Sequence, residues 1–386
     1  MDEIKRWIQP RPVRAEGVEC VGFWFTSACN LACSYCYLEK KSDATISLEM
    51  VQRILTTVLS TPGGMVELCP MGAEPLTRFP LLRQVVEWTE KGSWHRPFHF
   101  NVATNGTLLD QEKKAWFVQH RDSISLGLSI DGGVHSQWVN RGTPVPDLDF
   151  FRTTWPRQPM KMTISEQTAP MVAEDVIFLH QQGVEFTANV AYEEKTWSPV
   201  SLLQYEKSLY RLAEYYASHQ EIRPCNLFAP VPEKAIAEPW QTQTCYCSAG
   251  TSFEFYDMEG RSYPCHMISP MILPGEHCQA ALQRSRHAEQ NQDYGDPRCS
   301  HCPLRCSCFT CMGSNESYRQ DIRLRDPVHC AVYRAQIRAG IHLWVKKFQR
   351  LGSLTAVQKR RLEAMGKIQA YLDAHPNGLS EESFSR

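Results

Sequence analysis

Thirteen of the sixteen cysteines fall in two stretches, and this pattern limits what the chain can be. Cys29, Cys33 and Cys36 sit together near the start, and ten more lie between Cys245 and Cys330. Only Cys20, Cys69 and Cys225 stand outside, so the middle, from Pro62 to about Pro230, is nearly free of thiols. A disulfide-stapled domain is short and carries above roughly 8–10% cysteine. A chain of 386 residues is too long to need staples. Lys plus Arg total 41 against 42 Asp plus Glu, which leaves no electrostatic footprint for nucleic acid or an anionic membrane. No apolar run approaches the roughly 20 residues of a membrane span. The charged, proline-broken start, MDEIKRWIQPRPVRAEG, lacks the apolar core of a signal peptide. A cytoplasmic location is expected, where clustered thiols read as metal ligands rather than disulfides.

Between the two groups the pattern alternates. Strand signals fall at Cys20–Phe25, Met65–Leu68, His99–Ala103, Ser123–Ile130, Met160–Ser165 and Val184–Val190. Helical spacing falls at Ser47–Ser60, with Ser47 as N-cap, and at Phe79–Lys91, Asp110–His120 and Pro170–Gln182. Repeated strand–helix alternation implies parallel pairing through right-handed crossovers. Six units are fewer than the eight of a closed barrel, so the expected fold class is α/β, a partial (β/α)6 TIM-like barrel. A helical stretch follows at Trp197–Ser218, then a proline-rich linker at Pro224–Pro239. The segment Cys245–Cys330 reads as loop-rich and held by metal. Helices are expected at Ala331–Leu351 and after Leu354, with a frayed polar tail. The implied domains are 1–225, 226–351 and 352–386. Cys20 and Cys69 fall on or beside predicted strands and read as packing residues.

The first cluster reads Cys29-Asn30-Leu31-Ala32-Cys33-Ser34-Tyr35-Cys36. Three thiolates leave a tetrahedral zinc one ligand short. They suit three irons of a [4Fe–4S] cube whose fourth iron stays open to a chelating small molecule. The stretch directly follows the first strand, where the loops of a β/α barrel build an active site. A zinc or structural iron–sulfur loop is the plainer alternative. The spacing, with Tyr35 as the aromatic, resembles the C-x3-C-x-aromatic-C motif of the radical S-adenosylmethionine (SAM) superfamily. Further motifs follow in family order. Met71-Gly72-Ala73-Glu74-Pro75 is similar to the family's GGEP, with Ala73 in place of the second glycine. Thr104-Asn105-Gly106 ends the third strand, and Ser129-Ile130-Asp131-Gly132 is similar to the family's S-[IL]-D-G. The resemblance implies SAM contacts from Tyr35, Gly72, Ala73, Glu74, Thr104, Asn105, Ser129 and Asp131, and from Arg141 near the SAM carboxylate. The plainer reading of Asn105-Gly106 and Asp131-Gly132 is two turns.

The second group, Cys247-x12-Gly260-x4-Cys265 and then Cys299-x2-Cys302-x5-Cys308, Cys311 and Cys330, resembles the SPASM domain of peptide and protein maturases. Gly260 would make the hairpin turn that brings Cys247 and Cys265 together. The resemblance implies two auxiliary [4Fe–4S] clusters, one on Cys245, Cys247, Cys265 and Cys311, the other on Cys299, Cys302, Cys308 and Cys330. The spacing departs from the family at Cys308-x2-Cys311, and Cys306 stays open as a replacement for Cys308. Cys299-x2-Cys302 with Cys308-x2-Cys311 also fits a zinc knuckle, which leaves Cys247, Gly260 and Cys265 unexplained.

A SPASM extension implies a peptide or protein substrate, SAM and three [4Fe–4S] clusters as cofactors, and an electron donor of flavodoxin or ferredoxin type. In anaerobic sulfatase maturases an aspartate base follows the hairpin cysteine, whereas His266 follows Cys265 here. A neutral histidine can serve as a base, so His266 is the candidate catalytic residue. The departure favours a maturase of ribosomally made precursor peptides that forms an intramolecular crosslink, with a formylglycine-forming sulfatase maturase as the alternative. A non-enzymatic zinc or iron–sulfur adaptor is the third reading. Only 28 residues precede Cys29, too few for a leader-binding domain, so leader recognition is expected to use a separate leader-recognition partner or another surface.

Overall fold

The computed structural model describes residues 19–38, 41–192, 197–228, 248–273, 275–291, 294–305, 308, 310–376 and 378. Cys245, Cys247 and Cys306 lie outside the described residues, as do most of the linker expected at Pro224–Pro239 and the end of the tail.

Strands β1 (Cys20–Thr26), β2 (Val66–Gly72), β3 (Phe98–Thr104) and β4 (Ile124–Leu128) pair in parallel in the order β4-β3-β2-β1. Strands β5 (Met160–Ile164) and β6 (Phe186–Val190) form a second parallel pair. A bridge between Ser129 and Lys161 joins this pair to the end of β4. Crossover helices α1 (Leu48–Leu59), α2 (Phe79–Lys91), α3 (Gln111–Gln119) and α6 (Val172–Gln181) follow β1, β2, β3 and β5, and α7 (Pro199–Ser218) follows β6. The architecture is mixed α/β around a parallel sheet.

Alternation along the strands sets the two faces. Val21, Phe23 and Phe25 of β1 are fully buried against the helices, while Gly22 and Trp24 point the other way. Helix α1 answers with Val51, Ile54, Leu55, Val58 and Leu59, each buried. Burying such side chains contributes about 1.5–3 kcal/mol apiece. Ser47 caps the helix, accepting from the Met50 amide at 3.1 Å. On the inner face a Cβ on Gly22 would lie 2.7 Å from Met71 Sδ and 2.9 Å from Phe253, so glycine makes room for both.

Several boundaries differ from the expectation for physical reasons. Strand β2 runs on to Gly72 despite Pro70. Its pairing with β3 spans Val66–Leu68, and from Cys69 onward it pairs with β1 alone, so the missing proline N–H breaks no bond to β3. Strand β4 stops at Leu128, not Ile130. There the backbone changes partners: Ser129 N donates to Thr104 O at 2.8 Å, and Ile130 N donates to Lys161 O at 2.9 Å. Helices α4 (Val134–Arg141) and α5 (Leu148–Thr154) fill a connection in which the sequence pattern showed no helix.

The cysteine-rich segment is not simply loop. It carries helices Gly275–Asn291 and Met312–Arg319 and a hairpin of β7 (Phe253–Tyr256) and β8 (Ser262–Tyr263). Strand β7 pairs in parallel with β1, so the main sheet continues into this segment. Gly260 turns the hairpin at φ +76°, and a Cβ there would meet Met50 Sδ of α1 at 2.6 Å. Helix Pro327–Gln349 begins four residues earlier than expected, because Asp326 caps it through the Val328 amide at 2.7 Å. Its Val332, Ala335, Ala339 and Leu343 join the main core. Helix Ala356–Ala374 closes the described chain with a capping box at Thr355 and Gln358. No helix among the described residues is long and apolar enough to cross a membrane.

Gly132, just after β4, is pinned by packing. It adopts φ +114°, and a Cβ would sit 2.3 Å from Cγ of Asp175. Asp175 accepts from Gly133 N at 2.9 Å and Ser136 Oγ at 2.5 Å, and burial pushes its carboxyl up to about 7. A carboxyl raised above its unfolded value of about 3.9 loses stability as pH climbs between the two. The Tm advantage of Asp175→Asn over the parent chain should therefore grow from pH 5 to pH 8. A difference that stays flat with pH would contradict this account.

Candidate active site

The Cys29–Cys36 loop leaves the end of β1 and is fastened to three other strand ends. Asn30 Nδ2 donates to Thr107 Oγ1 at 2.7 Å and Asn105 Nδ2 donates to Asn30 Oδ1 at 3.0 Å, after β3. Tyr35 OH donates to Asp131 Oδ2 at 2.7 Å, after β4, and Ser34 N donates to Asn140 O at 2.8 Å on α4. From the β2 end, Ala73 N donates to Thr26 O and Glu74 N to Ala28 O, both at 2.9 Å.

Two buried carboxylates organise these loops. Glu74, 2% exposed, accepts from Thr104 Oγ1 at 2.8 Å, Asn105 N at 2.7 Å and Leu76 N at 3.1 Å. Burial raises its pKa, opposed by those donors. Asp131, fully buried, accepts from Arg141 Nε at 2.9 Å and a terminal Arg141 nitrogen at 3.1 Å, from Thr163 N at 3.0 Å and from Tyr35. Burial alone would lower the Arg141 pKa, but the Asp131 charge more than offsets it and holds the guanidinium charged. Burial and then the Asp131 charge keep Tyr35 in its phenol form.

These contacts frame a cavity of about 470 Å³. Cys29, Cys33 and Cys36 all line it, together with Tyr35, Gly72, Ala73, Glu74, Thr104, Asn105, Ser129 and Arg141. Asp131 lies behind the wall and holds Arg141 and Tyr35 in place. Burial raises the Cys33 pKa and Cys36 adds to it, while Arg141 opposes both. Sequence reasoning missed Lys161, Thr163, Asn101, Met71, Tyr37 and Cys69, which share the lining. No local motif marks Lys161 or Thr163, because only the switch of the β4 end onto β5 brings them to the cavity.

His266 also reaches the cavity, from the far side of the β7–β8 hairpin. Burial, helped by Lys161, pushes its imidazole down to about 4, so the ring is neutral near pH 7. Its Nδ1 is 3.6 Å from Cys265 Sγ. Tyr37 stacks at a tilt on His266 with ring centroids 5.8 Å apart, and burial, Cys36, Cys265 and Cys311 together raise its pKa. The two cysteine groups therefore approach each other around Tyr37. Gly313 permits this approach: a Cβ there would fall 2.1 Å from Met267 Cβ, and the helix it belongs to is capped by Cys311. A second cavity, of about 610 Å³, shares Tyr37 and Leu38 with the first and is walled by Met267, Met271 and Ile272.

Four other thiols meet farther along. Cys299, Cys302, Cys308 and Cys330 line one small pocket beside Arg325. Burial pushes Cys299 up to about 12 and Cys308 up to about 11, and a bound cation would favour their thiolate forms. Cys278 is fully buried in a satellite core, consistent with a packing role.

No family model matches the chain. A segment of 107 residues, 28% of the chain, is 29% identical to an uncharacterized protein of Methanocaldococcus jannaschii, covering 36% of it. A segment of 125 residues is 26% identical to the cysteine-type anaerobic sulfatase-maturating enzyme of Clostridium perfringens, covering 30% of this chain and 33% of that enzyme. The chain thus spans about a third of the length of the curated relatives it matches. Among solved structures, native anSMEcpe with bound AdoMet superposes with a TM-score of 0.63 at 17% identity, over 86% of this chain and 99% of that one. Streptococcus suis SuiB superposes with a TM-score of 0.50 at 14% identity, over 81% and 77%. The resemblance to radical-SAM maturases read from the motifs is borne out in the fold. The chain is similar in fold to AdoMet-bound anSMEcpe, and at 86% coverage the likeness reaches beyond the parallel sheet into the cysteine-rich segment.

Gly72 offers a direct test of how the loops are set. It adopts φ +123°, and a Cβ would lie 2.2 Å from Thr26 O at the root of the cysteine loop. Gly72→Ala should cost at least about 2 kcal/mol. Gly64→Ala, where a Cβ meets nothing within 4 Å, should stay within about 0.5 kcal/mol. Equal unfolding midpoints for the two variants would contradict the assignment.

Proposed function

We propose that this protein is a radical-SAM enzyme with a SPASM-type C-terminal extension that modifies a ribosomally made precursor peptide, closing an intramolecular crosslink. The observation that carries this reading is the meeting of Cys29, Cys33 and Cys36 in one cavity with residues from each of the strand-end motifs. The donor set fits a SAM-binding [4Fe–4S] cluster, and when bound this group supplies reductive SAM cleavage and the hydrogen-atom abstraction that follows. Cys299, Cys302, Cys308 and Cys330 would hold one auxiliary cluster. Cys265 and Cys311 would hold the other, with Cys245 and Cys247. The domain division 1–225, 226–351 and 352–386 belongs to the same reading.

The chain's own residues have defined tasks. Arg141, kept charged by Asp131, offers a cation to a carboxylate in the cavity. Thr104, Asn105 and Ser129 offer hydrogen bonds at the strand ends. Neutral His266 accepts a proton from the substrate after hydrogen removal. The cavity next to Tyr37 gives a peptide room to continue past the reacting residue. One of the structures of similar fold holds AdoMet together with a peptide, which supports a peptide substrate. A crosslink requires a further electron to leave, and an auxiliary cluster is a suitable acceptor. A separate leader-recognition protein and a flavodoxin- or ferredoxin-type electron donor complete the expected partners. The runner-up is formylglycine formation, favoured by the name of the Clostridium perfringens relative. His266 in the place of the expected aspartate speaks against it.

Coexpression with small open reading frames beside the gene, followed by mass spectrometry, tests the reading. A peptide lighter by two hydrogen atoms is expected, with loss of that product in the Cys29→Ala/Cys33→Ala/Cys36→Ala variant. The reconstituted protein should hold about 12 irons per chain and the variant about 4 fewer. No 5′-deoxyadenosine on reduction with SAM would overturn it, and formylglycine on a sulfatase peptide would establish the runner-up.

A further inference from the structure

Three acidic side chains meet on β1 and β2, away from the motif loops. Cys20 opens β1, and Glu67 and Cys69 alternate on β2, so they leave the same face of that strand. The register pairs Cys20 with Glu67 and Gly22 with Cys69, which brings all three side chains to one spot. Cys20 Sγ lies 3.6 Å from Cys69 Sγ, and one ligand atom from each of the three residues lies within 4.8 Å of the others.

That spacing suits a single ion. A disulfide needs its sulfurs about 2.05 Å apart. Two thiolates on one tetrahedral zinc, each about 2.3 Å from the metal, stand about 3.7 Å apart. Thiols that hold a four-iron cube each take a separate iron, so a shared ion is a different kind of site. The third member is held in place from neighbouring strands. Asn101 Nδ2 donates to Glu67 Oε1, Gln158 Nε2 approaches Asn101 Oδ1 at 3.5 Å, and Ser125 Oγ donates to Gln158 Oε1 at 3.1 Å. Such outer partners orient ligating carboxylates, and Glu67 Oε2 is left for a metal.

Two thiols and a carboxyl converge at this spot, and a divalent cation would balance the charge of their ionised forms.

We propose that Cys20, Glu67 and Cys69 bind one divalent metal ion of the zinc class. Cys69 lines the active cavity, so the ion would border it. Three protein ligands leave a fourth position for water or a substrate donor atom. On this proposal Cys20 and Cys69 are ligands rather than the packing residues the sequence suggests, and the proposal stands independently of the proposed reaction.

The test uses the cluster-loaded full chain, equilibrated anaerobically with chelator-buffered Zn²⁺, with zinc and iron measured by mass spectrometry. About one zinc per chain is expected, with an X-ray absorption shell of two sulfurs at about 2.3 Å and oxygens at about 2.0–2.2 Å. Cys20→Ser/Cys69→Ser should lose the zinc with iron unchanged. Asn101→Ala, which leaves all three ligands, should weaken zinc binding about 10–100-fold. Absence of zinc from the parent chain, retention in the double variant, a four-sulfur shell, or a Cys20–Cys69 disulfide in the loaded protein would each overturn the proposal.

Discussion

The site depends on two carboxylates buried at the strand ends. Glu74 and Asp131 are both withdrawn from water, a condition that costs several kcal/mol per ion unless hydrogen-bond donors offset it. Both are supplied with donors. Glu74 collects three donors from its own turn and from the β3 end, and Asp131 collects four from Arg141, Tyr35 and β5. The donors come from separate crossover units, so each carboxylate ties loops that would otherwise move independently. The cysteine loop inherits its position from these ties, through Tyr35 and through the amides that follow Gly72. Residues that the family pattern marks for SAM contact thus also hold the cavity's frame.

The hairpin of β7 and β8 extends this logic to the second group of thiols. It continues the sheet beyond β1, and His266, just after β8, lines the same cavity as Cys36. Tyr37 then lies between the two thiol groups, near Cys36 on one side and Cys265 and Cys311 on the other. Gly260 and Gly313 leave room where a Cβ would run into Met50 Sδ and Met267 Cβ. Two cysteine groups far apart in sequence become neighbours through strand pairing.

Much of this was legible in the sequence because it is local. Strand and helix periodicities located the six parallel strands, and motif order located Cys29, Glu74, Asn105 and Asp131 at their ends. What stayed hidden is set by register and by changes of partner. Lys161 and Thr163 reach the cavity because β4 hands its backbone pairing to β5. The helix Gly275–Asn291 is rich in Gln, Arg and His with weak apolar periodicity, so its cysteine-rich neighbours masked it. Cys20 and Cys69 looked like packing residues because neither carries a motif, and only the β1–β2 register brings their sulfurs together.

On the proposed reading, the three thiols after β1, in a loop tied to the buried carboxylates, form the SAM-binding end of the cavity. Equilibrium binding of SAM to the anaerobically reconstituted protein tests it most directly. The parent chain should bind about one SAM, and Cys29→Ala/Cys33→Ala/Cys36→Ala should bind none while keeping the iron of the remaining sites. Undiminished SAM binding by that variant, or none by the parent chain, would contradict it.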